Sequence, residues 1–168
     1  MPKIIENLAG RLMQEARRQI GENGYAATTI RSVAKACGVG VGTVYNYFPS
    51  KDAMIASYML EDWRACVAAI EAAAACADTP GPVLRCICAQ LRLFIGRHEA
   101  VIRDKTAAAG FSGALGRYHP VLRTQLAAPL RRFCEDDFTA EFAAQALLTW
   151  TMEGRDGEEL YTLMQKLF

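Results

Sequence analysis

The chain is 168 residues long and 52% hydrophobic, with 19 basic and 18 acidic side chains, enough apolar material for one compact core or two small helical ones. The near-neutral total hides a basic head: residues 1–51 hold seven basic and three acidic residues, the remainder twelve and fifteen. The N-terminus, MPKIIENLAGRLMQEARRQ, carries charges throughout and lacks a continuous apolar stretch, so it does not read as a signal peptide, and no membrane or export is expected.

That N-terminus reads as an amphipathic helix. Ile5, Leu8, Ala9, Leu12, Ala16 and Ile20 make its stripe, and Gly21 and Gly24 stop it. Residues 29–51, TIRSVAKACGVGVGTVYNYFPSK, come next. Ile30, Val33 and Ala34 recur at helical spacing and give a first short helix one buried face, which should pack under the N-terminal stripe. Gly38 can take the positive φ that ends this helix and turns the chain. A second helix then runs from near Gly40 to about Tyr47, with Val41, Val44 and Tyr45 or Phe48 as its buried stripe. Gly42, Thr43 and one tyrosine edge face outward. Gly42 lets backbone approach a base edge or phosphate, and the Thr43 hydroxyl and methyl suit a phosphate or a thymine methyl. Tyr45, Tyr47 and Lys51 add phosphate donors. Ser50 reads as the N-cap of the following helix with Asp52 in its first turn, so amides there can also meet phosphate.

Two short helices hinged at Cys37-Gly38-Val39 are the layout of a DNA-reading helix-turn-helix. Gly38-Val39 and the run Gly42-Thr43-Val44-Tyr45-Asn46-Tyr47-Phe48-Pro49-Ser50-Lys51 resemble the N-terminal signature of the TetR family of transcriptional regulators, as do Gly24-Tyr25, Thr28-Thr29-Ile30 and Val33-Ala34. The resemblance covers roughly residues 5 to 55. Position 40, usually a small polar cap in that family, is Gly here, and position 41, often basic or polar, is Val. With Thr29 added, the expected DNA-facing set is Thr29, Gly42, Thr43, Tyr45, Tyr47 and Lys51. A basic head fits, because phosphate neutralisation supplies most non-specific affinity.

A long helix follows from Ser50 to about Ala77, linking this reader to the rest of the chain and ended by Asp78-Thr79-Pro80-Gly81-Pro82. Ile55, Tyr58, Met59, Trp63, Cys66, Val67 and Ile70 line one side of it. Further helices are expected at Pro82 to His98, Ala100 to Ala109, Pro120 to Cys134, Ala140 to Glu153 and Gly157 to Leu167, with Gly110 to His119, three glycines among them, a loop or broken helix. The expected fold is therefore all-α: a homeodomain-like three-helix DNA-binding domain over residues 1–50 and a helical ligand-binding and dimerisation domain over 51–168.

The last two helices carry wide apolar faces, and wide faces usually bury on two sides. Phe142, Ala146, Leu147 and Trp150 mark one, Leu160, Leu163, Met164 and Leu167 the other. In the resembling family these helices pair with their copies across a two-fold axis as a four-helix bundle; the plainer alternative is that they complete the chain's own core. The resemblance also implies a ligand cavity, for which Tyr58, Met59, Trp63, Phe94, Phe111, Tyr118 and Trp150 are candidate lining, unless they are simply core. With few charges in these stripes, the effector would be small and apolar or aromatic.

Six cysteines lack the paired short spacing of a zinc site. Cys86 and Cys88, two apart on a helix, point about 200° apart. They read as small buried hydrophobes in a reducing cytoplasm, with no metal or cofactor. No nucleophile elbow, phosphate loop or H-E-x-x-H occurs, which argues against an enzyme. Two function classes result: a ligand-responsive repressor that binds a pseudo-palindromic operator as a homodimer, and a constitutive DNA-binding or partner-binding protein without a small effector.

Overall fold

The computed structural model describes residues 7–168, the side chains of residues 108–118 excepted. Ile5, Phe111 and Tyr118 therefore lie outside the described side chains. Among the described residues all regular structure is helical. Helix α1 (Leu8–Asn23) buries Leu8, Leu12, Ala16 and Ile20, the expected stripe. Gly21 sits within it rather than stopping it, since a glycine only weakens a helix. The stop is Gly24, at φ 84°, whose amide donates to the Ile20 carbonyl at 2.9 Å.

Helix α2 (Ile30–Cys37) starts in a capping box, the Thr29 hydroxyl accepting from the Ser32 amide while the Ser32 hydroxyl accepts from the Thr29 amide, both at 3.0 Å. It ends at Gly38, which takes φ 69° as expected, and the Val39 amide reaches back to Ala34 O at 3.0 Å. Helix α3 (Val41–Tyr45) is only five residues long and stops short of Tyr47. Helix α4 (Lys51–Ala75) follows, capped by the Ser50 hydroxyl accepting from the Ala53 amide at 3.0 Å.

The later boundaries shift from those expected. Helix α5 (Pro80–Ile102) begins at a proline, which tolerates a first-turn position because its missing amide would be unpaired there anyway. Helix α6 (Lys105–Ala127) is opened by Asp104, whose carboxylate accepts from the Thr106 and Ala107 amides at 2.8 and 2.9 Å. It continues through Gly110 to His119, where a loop or broken helix is expected from sequence, with Pro120 inside it. Propensity lost at glycines is a small penalty that the rest of a long helix absorbs. The helix expected to reach Cys134 stops at Ala127, because Pro129 disfavours helical geometry in the residue before it; a 3-10 turn at Arg131–Phe133 follows. Helices α7 (Asp137–Met152) and α8 (Gly157–Met164) close the fold, the latter continuing as a 3-10 turn at Gln165–Leu167.

The chain divides into two compact units. One comprises residues 1–61 and 98–112, the other residues 62–97 and 113–168. The first is built on Leu12, Ala16, Val33, Ala34, Val44, Met54, Ile55 and Tyr58, all 2% exposed or less. A boundary at 50/51 follows a helix start, whereas packing carries Met54, Ile55 and Tyr58 of α4 into this first core. The second unit centres on Trp63, Ile70, Leu84, Ile87, Leu91, Leu126, Leu130, Leu147, Leu160 and Met164.

Candidate nucleic-acid interface

Burial on one side of α3 decides what it shows on the other. Val44 is fully buried and Phe48 nearly so, while Val41 packs only partly against the same cluster. Phe48, not Tyr45, completes the inner stripe. Tyr45 is consequently turned out at 53% exposure and Tyr47 at 49%. Gly42 is exposed and Thr43 half-buried. Thr29, Val41, Tyr45, Ser50 and Lys51 line a common concavity of about 530 Å³, formed where the starts of α2, α3 and α4 meet. Gly42, Thr43 and Tyr47 do not line it.

Arg31, in sequence only one charge of the basic head, also lines this concavity and is exposed. The signal was available: with Ile30 and Val33 inward on α2, the helical period turns position 31 outward. Arg18, by contrast, is committed within α1, bonded to Glu15 at 2.7 Å and Glu22 at 2.5 Å. The Arg18 bond to Glu15, with a second from Gln19, holds the Glu15 carboxyl down to about 2.

Lys51 has an intramolecular role as well as a place on this face. Its Nζ donates to the Tyr25 carbonyl at 2.7 Å and stands 3.6 Å from the centre of the Tyr25 ring. The Tyr25 hydroxyl donates to Asp52 Oδ1 at 2.5 Å. Burial, and then the Asp52 carboxylate, push the Tyr25 phenol up to about 12, and burial lowers the Lys51 ammonium. The clasp ties the segment between α1 and α2 to the start of α4. One cation thus serves a fold contact at the edge of the groove.

The candidate ligand residues are distributed over both units. Tyr58 is buried in the first, stacked 5.6 Å from His98 with the Arg17 guanidinium 4.9 Å over its ring, and Met59 packs beside the same cluster. In the second, Trp63 meets Phe94 edge-on at 5.5 Å and donates from Nε1 to Gln125 Oε1 at 2.7 Å, while Trp150 is half-buried against that core. The candidate interface set also divides. Ala146, Leu147, Leu160 and Met164 are buried in their own unit's core, while Phe142, Leu163 and Leu167 remain exposed, joined by Phe138 and Met152.

Burial raises the thiols of Cys37, Cys66, Cys86, Cys88 and Cys134. Among the described residues no group of three or more His, Cys, Asp or Glu could hold a metal, and no helix is long and apolar enough to cross a membrane.

This face, two short helices hinged at a left-handed glycine with tyrosines and cations outward, defines the helix-turn-helix class. Residues 12–58 match the family profile of bacterial regulatory proteins, tetR family. The chain is 35% identical over 52 residues to the HTH-type transcriptional regulator UidR of Escherichia coli K12, a match covering 31% of this chain and 26% of UidR. It therefore spans about a quarter of that curated relative's length. The whole fold is similar to Salmonella enterica GusR, with a TM-score of 0.71 and 22% identity over 98% of both chains. It is also similar to the regulator FadR of Bacillus subtilis, solved in complex with stearoyl-CoA, with a TM-score of 0.58 and 21% identity over 94% of this chain and 96% of that one. Residues 12–58 are therefore similar to the matching region of tetR-family bacterial regulatory proteins, and the curated proteins this segment resembles are HTH-type transcriptional regulators.

Proposed function

We propose that the protein is a sequence-specific DNA-binding transcriptional regulator, a repressor that binds a pseudo-palindromic operator as a homodimer and responds to a small apolar ligand. The observation that carries this is the α2–α3 face itself, where Tyr45 and Tyr47 stand out beside a concavity edged by Arg31 and Lys51. Phenol hydroxyls and cations position a duplex through its phosphates, while the short α3 offers its outer side chains to base edges. Repression follows from occupancy of the operator.

Dimerisation is supported by the exposed Phe142 of α7, Leu163 of α8 and Leu167 of the final 3-10 turn, since large apolar side chains left exposed on a surface are available to a partner. An apolar effector is supported by the few charges in the α4–α6 stripes and by the acyl-CoA bound to the FadR relative. The test measures binding of a duplex library at several salt concentrations, followed by thermal-shift screening of apolar compounds. Steep loss of affinity with salt supports DNA binding. A compound that raises the melting temperature and releases DNA supports the ligand-responsive form; if no compound does, the constitutive reading replaces it.

A further inference from the structure

Residues 40–43 read Gly-Val-Gly-Thr, and that sequence has a consequence for which bases are read. Recognition helices contact base edges from their first residues. The bidentate hydrogen-bonding readers are Arg and Lys for guanine and Asn and Gln for adenine. Positions 40–43 contain none of them.

The fold does not demand glycine at either position. Gly40 is in the extended region, at φ −71°, as the residue preceding α3. A Cβ there would meet only the Thr43 hydroxyl, at an ordinary 3.8 Å, and a Cβ at Gly42 would meet nothing within 4 Å among the described residues. Glycine weakens a helix, and α3 is only five residues long. The glycines leave Val41 between two positions without side chains. Val41 stays half-exposed and lines the concavity with Tyr45, one helical turn on.

A short apolar side chain with bare backbone on both sides suits one feature of the major groove, the C5-methyl of thymine. We propose that Val41 reads a thymine methyl, with Gly40 and Gly42 removing the bulk that would hold so short a side chain away from the base, and with the Tyr45 ring closing the other side. This rests on the DNA-binding reading above. Specificity at the start of α3 is then set by methyl contact instead of bidentate hydrogen bonding.

The experiment enriches a random 30-base-pair duplex pool on the full chain, then resynthesises the selected duplex with each thymine singly replaced by deoxyuridine, which deletes only the methyl. At one thymine per half-site, binding should weaken about fourfold for the buried methyl. Placing 5-methylcytosine in place of cytosine at that position should recover part of the affinity. Val41→Ala should abolish the thymine-to-uridine difference, while Thr43→Ala should keep it. If Val41→Ala does not fold, the wild-type scan and the 5-methylcytosine arm still decide. Enrichment of a duplex whose thymine-to-uridine ratio is about one at every position overturns this inference alone. Failure to enrich any duplex overturns the DNA-binding reading and this inference together.

Discussion

Lys51 Nζ lies 3.6 Å over the ring of Tyr25 and donates to that residue's own carbonyl at 2.7 Å, across 26 positions of sequence. The contact makes a lysine that motif spacing assigns to phosphate also a part of the fold. Lys51→Ala should therefore lower both stability and affinity. Loss of a charged hydrogen bond and a ring contact should cost stability about 1 to 2 kcal/mol, read as a lower denaturant midpoint. Affinity should fall for all sequences alike, with the log–log salt slope smaller by about 1. An unchanged slope would leave Lys51 with the fold contact alone.

Tyr25 gives a pH signature. Its phenol ionises at about 12 in the folded chain, above the ordinary 10.0. A raised folded value means that its stabilisation is complete below pH 10 and is lost as pH rises from 10 towards 12. The tyrosinate absorbance difference between wild type and Tyr25→Phe should titrate near 12. Tyr25→Phe should also flatten the fall of melting temperature across that window. A difference spectrum titrating near 10 would mean that neither the burial of the Tyr25 ring nor its Asp52 contact holds in solution.

The two faces of α7 and α8 should respond differently to substitution. Leu147 is fully buried, so Leu147→Ala should cost about 2 to 5 kcal/mol of stability. Phe142 and Leu163 are 47% and 44% exposed. Phe142→Glu with Leu163→Glu should leave the helical signal intact and shift the light-scattering mass from dimer to monomer. Retention of a dimer by the double variant would move the interface elsewhere.

Thiol chemistry should follow exposure. Cys76 is exposed, whereas Cys88 is buried and its thiol pushed up to about 11. A disulfide exchange reagent should label Cys76 in the native protein and Cys88 only on unfolding, because the thiolate is the reactive form. Rapid native labelling of Cys88 would contradict the packing of α5.

The helix-turn-helix was legible because its signals are local. Gly38 ends α2 through its own φ, and Val33, Ala34 and Val44 announce their burial by period. What escaped was tertiary or competitive. Nothing local shows that Lys51 will find the Tyr25 carbonyl. The fate of Gly110 to His119 depends on a whole helix outweighing its glycines. Aromatic residues at helical spacing look alike whether they line a cavity or fill a core, so Trp63 gave no warning of its bond to Gln125. Likewise the stripe of α7 contains both Leu147, which the core takes, and Phe142, which it leaves out. Only the positions of neighbouring helices separate the two.

The most direct test of the central claim is a hydroxyl-radical footprint of the full chain on a duplex enriched from random sequence, taken at rising salt. Two protected half-sites are expected on one face of the duplex, centred about 34 to 36 Å apart. Protection should disappear steeply as salt increases. Absence of protection on any enriched duplex, or protection that salt does not weaken, would contradict it.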